Sequence, residues 1–254
     1  MTLLPELSPL LLVAALAIGF GAGVVKGMVG FAMPMILISA LSSFMPPEVA
    51  LAGLILPTLV TNGMQALRQG FAAAWLSVKR FRLFLGVGLV FMLASSQLVA
   101  VLPSHILLLC IGGPVVLFAL TQLAGWQLRI APGTRTMAEA GIGAFAGFIG
   151  GMSGVWGPPT VAYLTALGTE KKEQMRVQGV IYGLGAVALT GAHVTSGILN
   201  AQTATFSAML LPTAIAGMLV GNRIQDRIDQ VAFRRATLFV LLIAGLNLVR
   251  RGLT

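Results

Sequence analysis

Apolar residues fill six stretches of ordinary membrane-crossing length, about 48–67, 81–102, 104–125, 175–195, 203–221 and 234–250. Each approaches the roughly 20 residues that an α-helix needs to cross a bilayer, so six spanning helices are predicted. Two further stretches, 8–42 and 136–168, are too long for one span. Glycine interrupts both too often for one straight helix. Each is predicted to be a broken or re-entrant helical hairpin, with its turn at GMVGFAMP (27–34) and GMSGVWGPP (151–159). Glycine supplies the positive φ and close approach such a turn needs, and proline suits the first turn of the outgoing helix.

The two hairpins are copies. Residues 19–34, GFGAGVVKGMVGFAMP, and 143–158, GAFAGFIGGMSGVWGP, match at seven of sixteen positions at a shift of 124. PPE at 46–48 answers KKE at 171–173, each opening the next apolar run. The 254 residues form one transmembrane domain made of two repeats, 1–130 and 131–254, with the junction near Ala131-Pro132-Gly133. Each repeat has a Gly-rich hairpin and three transmembrane helices.

Charge sets the orientation. A hairpin that enters and leaves on one side gives each repeat three net crossings, so the second copy is inverted. Arg68, Lys79, Arg80, Arg82, Arg129, Arg135, Lys171, Lys172, Arg176, Arg223, Arg227, Arg234 and Arg235 then share one face. Only Arg250 and Arg251 fall on the other, and the crowded face reads as cytoplasmic, with both termini periplasmic. Loop 68–82 is basic while its partner 196–203 is neutral; 103–105 is neutral while 222–235 is basic. Similar halves with opposite charge bias indicate an inverted-topology repeat.

Composition agrees with a polytopic all-α membrane protein. Hydrophobic residues make up 57% and charged residues 9% of the chain, and the mean hydropathy is +0.95. A net charge of +9 raises nucleic acid as a partner, but its clustering between apolar runs fits cytoplasmic loops instead. The single cysteine, Cys110, lies in an apolar run and reads as a packing residue, excluding a disulfide framework. No metal site or cofactor is predicted, because Glu48 falls at the outer rim and the other acidic residues fall in loops or termini. MTLLPELSPLLL lacks the positive start of a cleaved signal peptide, so it is expected to stay attached.

The chemistry centres on Lys26, the one cation placed away from the ends of an apolar stretch. At the bilayer centre it would cost roughly 2.5–3.5 kcal/mol on insertion scales, so something must compensate it. Helix breaks in inverted-repeat transporters lie near the midplane and aim free N–H groups at anionic substrate. One small anion held between both turns would compensate Lys26. Its expected contacts are Lys26, Gly27, Met28, Gly30, Phe31 and Asn62 from the first half, and Gly151, Ser153, Gly154 and Trp156 from the second. Gln65, Gln178, Tyr182 and His193 are candidates for lining the site or carrying a coupling proton; Thr58, Thr61 and Thr190 are equally suited to bonding a neighbouring helix. Gly19/Gly23/Gly27 and Gly143/Gly147/Gly151 form GxxxG patterns that also suit helix packing. Trp75 and Trp126 read as interfacial anchors.

The signatures GAGVVKGMVGFAMPMI and GAFAGFIGGMSGVWGPPTVAYL, with the closing run FRRATLFVLLIAGLNLV, resemble the TauE/SafE family of sulfite-exporter-like, toluene-sulfonate-uptake type permeases. The resemblance covers nearly the whole chain and implies transport of sulfite or organosulfonates such as sulfoacetate across the bacterial inner membrane. The expectation is a secondary transporter working by alternating access, not an enzyme. A co-transported proton or cation and a homodimer remain open. A passive anion channel would use the same donors. An intramembrane serine protease, with Ser153 and His193 as the dyad, is the other alternative; GMVG in the first repeat, with Val29 in place of Ser153, opposes it.

Overall fold

A computed structural model describes residues 8–41, 43–96, 104–126, 130–153, 156–195 and 197–253. The described residues form eleven α-helices and no strand: α1 (Pro9–Val29), α2 (Met33–Leu41), α3 (Pro47–Leu67), α4 (Phe71–Arg80), α5 (Arg82–Ser96), α6 (Ser104–Leu123), α7 (Arg135–Ser153), α8 (Gly157–Ala166), α9 (Lys171–Thr195), α10 (Ala201–Arg227) and α11 (Gln230–Leu253). Among the described residues five helices are long and apolar enough to cross a membrane: Pro9–Val29, Val49–Leu67, Lys171–Thr195, Ala201–Arg227 and Gln230–Leu253.

Both long stretches break inside their glycine-rich signatures, in α1–α2 and α7–α8. Each hairpin has one long arm, of 21 and 19 residues, and a short one, of 9 and 10. At 1.5 Å per residue the long arms reach about 31 and 28 Å, a full hydrocarbon core. Two expected loops also contain helix. Segment 68–82 holds α4, which buries Ala74 and Ser77 and leaves Phe71, Trp75 and Leu76 exposed. Segment 222–235 is spanned by the end of α10 and the start of α11, leaving only Ile228 and Asp229 between them. Apolar runs report membrane depth, and the hydrogen-bonded ladder continues past them.

The chain divides into two compact units, and each draws on both repeats: 1–71 with 175–229, and 72–174 with 230–254. In the first unit α1 lies against α10 and runs parallel to it. Gly23 meets Ala214 and Met218, and Gly27 meets Met218 and Gly221 four residues further along both helices. Gly217 and Gly221 return the contact against Phe20 and Val24. Small residues on both sides let the backbones touch. α10 also packs on α3, where Pro57 has no N–H for the carbonyl of Gly53. Ser207 of α10 fills the gap, donating to Gly53 O at 2.9 Å and accepting from Leu56 N at 3.0 Å. Between these helices α2 contributes Met33, Leu37 and Leu41 to a core with Ala15, Ala22, Phe206 and Leu210.

In the second unit α7 packs on α5 in the same manner, with Gly143 against Phe84 and Gly147 against Gly88. α6 and α11 pack antiparallel: Gly112 meets Gly245 and Val249, while Gly252 meets His105 and Leu109.

Candidate functional site

The first break is built from backbone outward. α1 ends at Val29, and Gly30 caps it in the left-handed region at φ 87°, with its N–H on Lys26 O at 2.7 Å. Ala32 also has a positive φ, 74°, which costs a residue with a Cβ about 1–2 kcal/mol. Pro34 then falls in the first turn of α2, where a missing N–H is harmless.

Lys26 sits in the last turn of α1 and is 2% exposed. Its Nζ donates to Asn62 Oδ1 on α3. Among the described residues no carboxylate pairs with it. Two glutamines close the turn. Gln65 Nε2 donates to Gly30 O at 3.1 Å and to Met175 O at 2.7 Å. Gln178 of α9, with its amide nitrogen facing the carbonyls, donates to Gly30 O at 3.0 Å and Val29 O at 3.1 Å. The carbonyls of Val29 and Gly30, at the end of the broken helix, thus gain donors, as the interruption of a buried helix requires. Lys26 gains the carbonyl-rich C-terminal end of α1 beside it, which favours a cation. The protein itself therefore supplies part of the compensation that an anion alone was expected to give.

Lys26, Asn62, Gln65, Gln178 and Gly30 come together in one unit. Phe31 is buried within the break, and Tyr182 is buried one turn beyond Gln178 on α9. Gly27 and Met28 belong to α1 itself, so their N–H groups lie inside the helix and the expectation that they donate to a ligand is corrected; free N–H groups begin after Gly30. Gly27 has a packing role against α10. Gly30 stands level with Gln65, one turn from Arg68, which bonds Gln225 at 3.0 Å and Asp226 at 2.5 Å. Arg176 bonds Gln69 at this same end. His193 lies 15 residues beyond Gln178 on α9, about 22 Å away along the helix, outside this group.

The second break lies in the other unit. Trp156 caps α8 and lays its ring on Gly150, while its carbonyl accepts from Thr160 N and Oγ1 at 3.4 and 2.9 Å. Gly151 and Ser153 are in the last turn of α7, but their side-chain environment lies outside the described residues, as do Gly154 and the side chains of Glu48 and Cys110.

One acidic residue departs from expectation. Glu139, expected with the other acidic residues in a loop or terminus, is buried in the second turn of α7. It accepts from Phe84 N at 3.3 Å, in the first turn of α5, and faces Arg135 at 3.9 Å. Tyr163, fully buried, stacks on Phe84 with ring centroids 5.4 Å apart and meets Phe81 edge-on at 6.4 Å. The i, i+4 spacing of Arg135 and Glu139 was the signal available beforehand.

Several helices long and apolar enough to cross a membrane, one of them broken beside an enclosed cation, define a multi-pass membrane protein. Residues 15–248 match the sulfite exporter TauE/SafE family. The chain belongs to that family, whose members are membrane transporters. No curated protein and no solved structure matches it.

Proposed function

We propose that this protein is a secondary transporter of small sulfur-containing anions, sulfite or sulfonates such as sulfoacetate, working by alternating access in the bacterial inner membrane. Lys26 supplies the charge at the binding site, Asn62 holds it in place, and the first turn of α2, from Phe31 onward, supplies N–H donors. The observation that carries this reading is the enclosed Lys26, joined to a neutral amide at a helix break, in a member of an anion-exporter family. Gly151, Ser153, Gly154 and Trp156 form the equivalent turn of the second repeat, and a coupling proton or cation completes the cycle.

Inversion of the halves has specific support. By the repeat, α3 is equivalent to α9 and α6 to α11. Gln65 and Ala66 meet Gly179 while Asn62 meets Gly183, so α3 and α9 are antiparallel; α6 and α11 are too. Repeats related by an axis along the membrane normal would run their equivalent helices the same way. The basic end bearing Arg68 and Arg176 is then cytoplasmic.

The test is transport by purified protein in proteoliposomes. Saturable labelled-sulfite uptake, accelerated by unlabelled sulfite on the opposite side, is expected, with no uptake of an organic cation. Conductance without such counterflow would favour a channel. Cleavage of a model peptide would favour the Ser153–His193 protease.

A further inference from the structure

We infer that the Lys26 site chooses its ligand by charge state and by hydrogen: it takes a monoanion that carries an acidic hydrogen, hydrogen sulfite rather than the sulfite dianion or a sulfonate. This rests on the proposed anion-transport function and narrows its substrate.

Charge gives the first half. Among the described residues of this unit Lys26 is the only charged side chain that is buried. A monoanion beside it makes a neutral pair. A dianion leaves one net negative charge in a low-dielectric site, and buried unpaired charge is among the most expensive states a protein can hold.

The acceptors give the second half. Gln65 is 2% exposed, and its Oε1 has no hydrogen-bond partner. Its amide cannot turn to offer N–H instead, because Nε2 is committed to both Gly30 O and Met175 O. Thr58 Oγ1 is also without a partner, but a hydroxyl can donate or accept, so the discrimination rests on Gln65. Positions 58, 62 and 65 recur at helical spacing on one face of α3, the face whose Asn62 holds Lys26. A fixed acceptor oxygen repels the bare oxygens of a sulfonate and rewards a ligand that brings its own hydrogen. Hydrogen sulfite has one; sulfite and methanesulfonate have none to donate.

Competition against labelled sulfite in proteoliposomes tests this, at one pH at which methylphosphonate retains a single proton. Methylphosphonate and methanesulfonate are then similar monoanions that differ by one hydroxyl, and sulfate is the dianion. Methylphosphonate should compete about tenfold better than methanesulfonate, the worth of one hydrogen bond to a buried acceptor, and sulfate should not compete. Gln65→Met should bring the methylphosphonate-to-methanesulfonate ratio close to one; if that variant does not fold, the wild-type ratio decides alone. Equal competition by all three, or better competition by sulfate, overturns the inference and leaves anion transport standing. Absence of saturable sulfite transport removes the proposed function and this inference with it.

Discussion

Replacing Gly27 with alanine should separate α1 from α10. An added Cβ would lie 2.2 Å from Met218 O, 2.8 Å from Asn222 N and 2.9 Å from Gly221 Cα. All three are backbone atoms, so no side chain can swing aside. Ordinary contact begins near 3.4 Å, leaving the first approach about 1.2 Å too short. A gap of 0.5–1 Å already forfeits about a quarter to a half of each dispersion contact along the seam, and overpacking of this kind costs about 1–3 kcal/mol. Gly21 is the control: on the same helix, an added Cβ there meets nothing within 4 Å. Gly21→Ala should gain about 0.5–1 kcal/mol from helix propensity. Thermal unfolding of the two purified variants in detergent measures the difference. Because Gly27 directly follows Lys26, the same shift should lower sulfite transport. Equal stability of Gly27→Ala and Gly21→Ala would refute the close-contact interface.

Further outcomes follow from other parts of the fold. Gly30→Ala pays the left-handed penalty of about 1–2 kcal/mol and sets a Cβ 1.8 Å from the Gln178 amide. Gly125→Ala, at φ 92° with open space around it, pays the first cost alone, so the Gly30 variant should unfold at lower temperature and lose transport. Ser207→Ala strands Gly53 O, which Pro57 cannot serve, and should cost about 1–3 kcal/mol in the same unfolding assay. With Cys110 replaced, a cysteine at position 200 should be labelled by a periplasmic thiol reagent and one at position 171 should not; the reverse pattern would overturn the assigned sidedness.

Much of this fold is legible in the chain because lipid leaves few options. Long apolar runs must be helices, and the shared glycine–proline signatures mark where two of them break. Lys26 stands out for the same reason, as a cation with no acidic neighbour in sequence. Other features depend on partners distant in sequence. That Gln65 and Gln178 grip the same carbonyl is invisible until α3 and α9 are packed. The unequal arms at each break were not legible because apolarity cannot tell a long and a short arm from two equal ones. Glu139 was missed because a window of hydropathy sees only its own helix, whereas the α5 contact does the burying. Loop 68–82 hid α4 because Lys79, Arg80 and Arg82 dominate its composition, although FAAAWLSV is a helix-forming run.

Equilibrium binding of labelled sulfite to the purified protein and to Lys26→Met tests the role of Lys26 most directly. Loss of a charge-assisted hydrogen bond predicts affinity weakened by about 10- to 100-fold, in a variant whose thermal unfolding shows it intact. Unchanged sulfite affinity in a folded Lys26→Met protein would contradict the account.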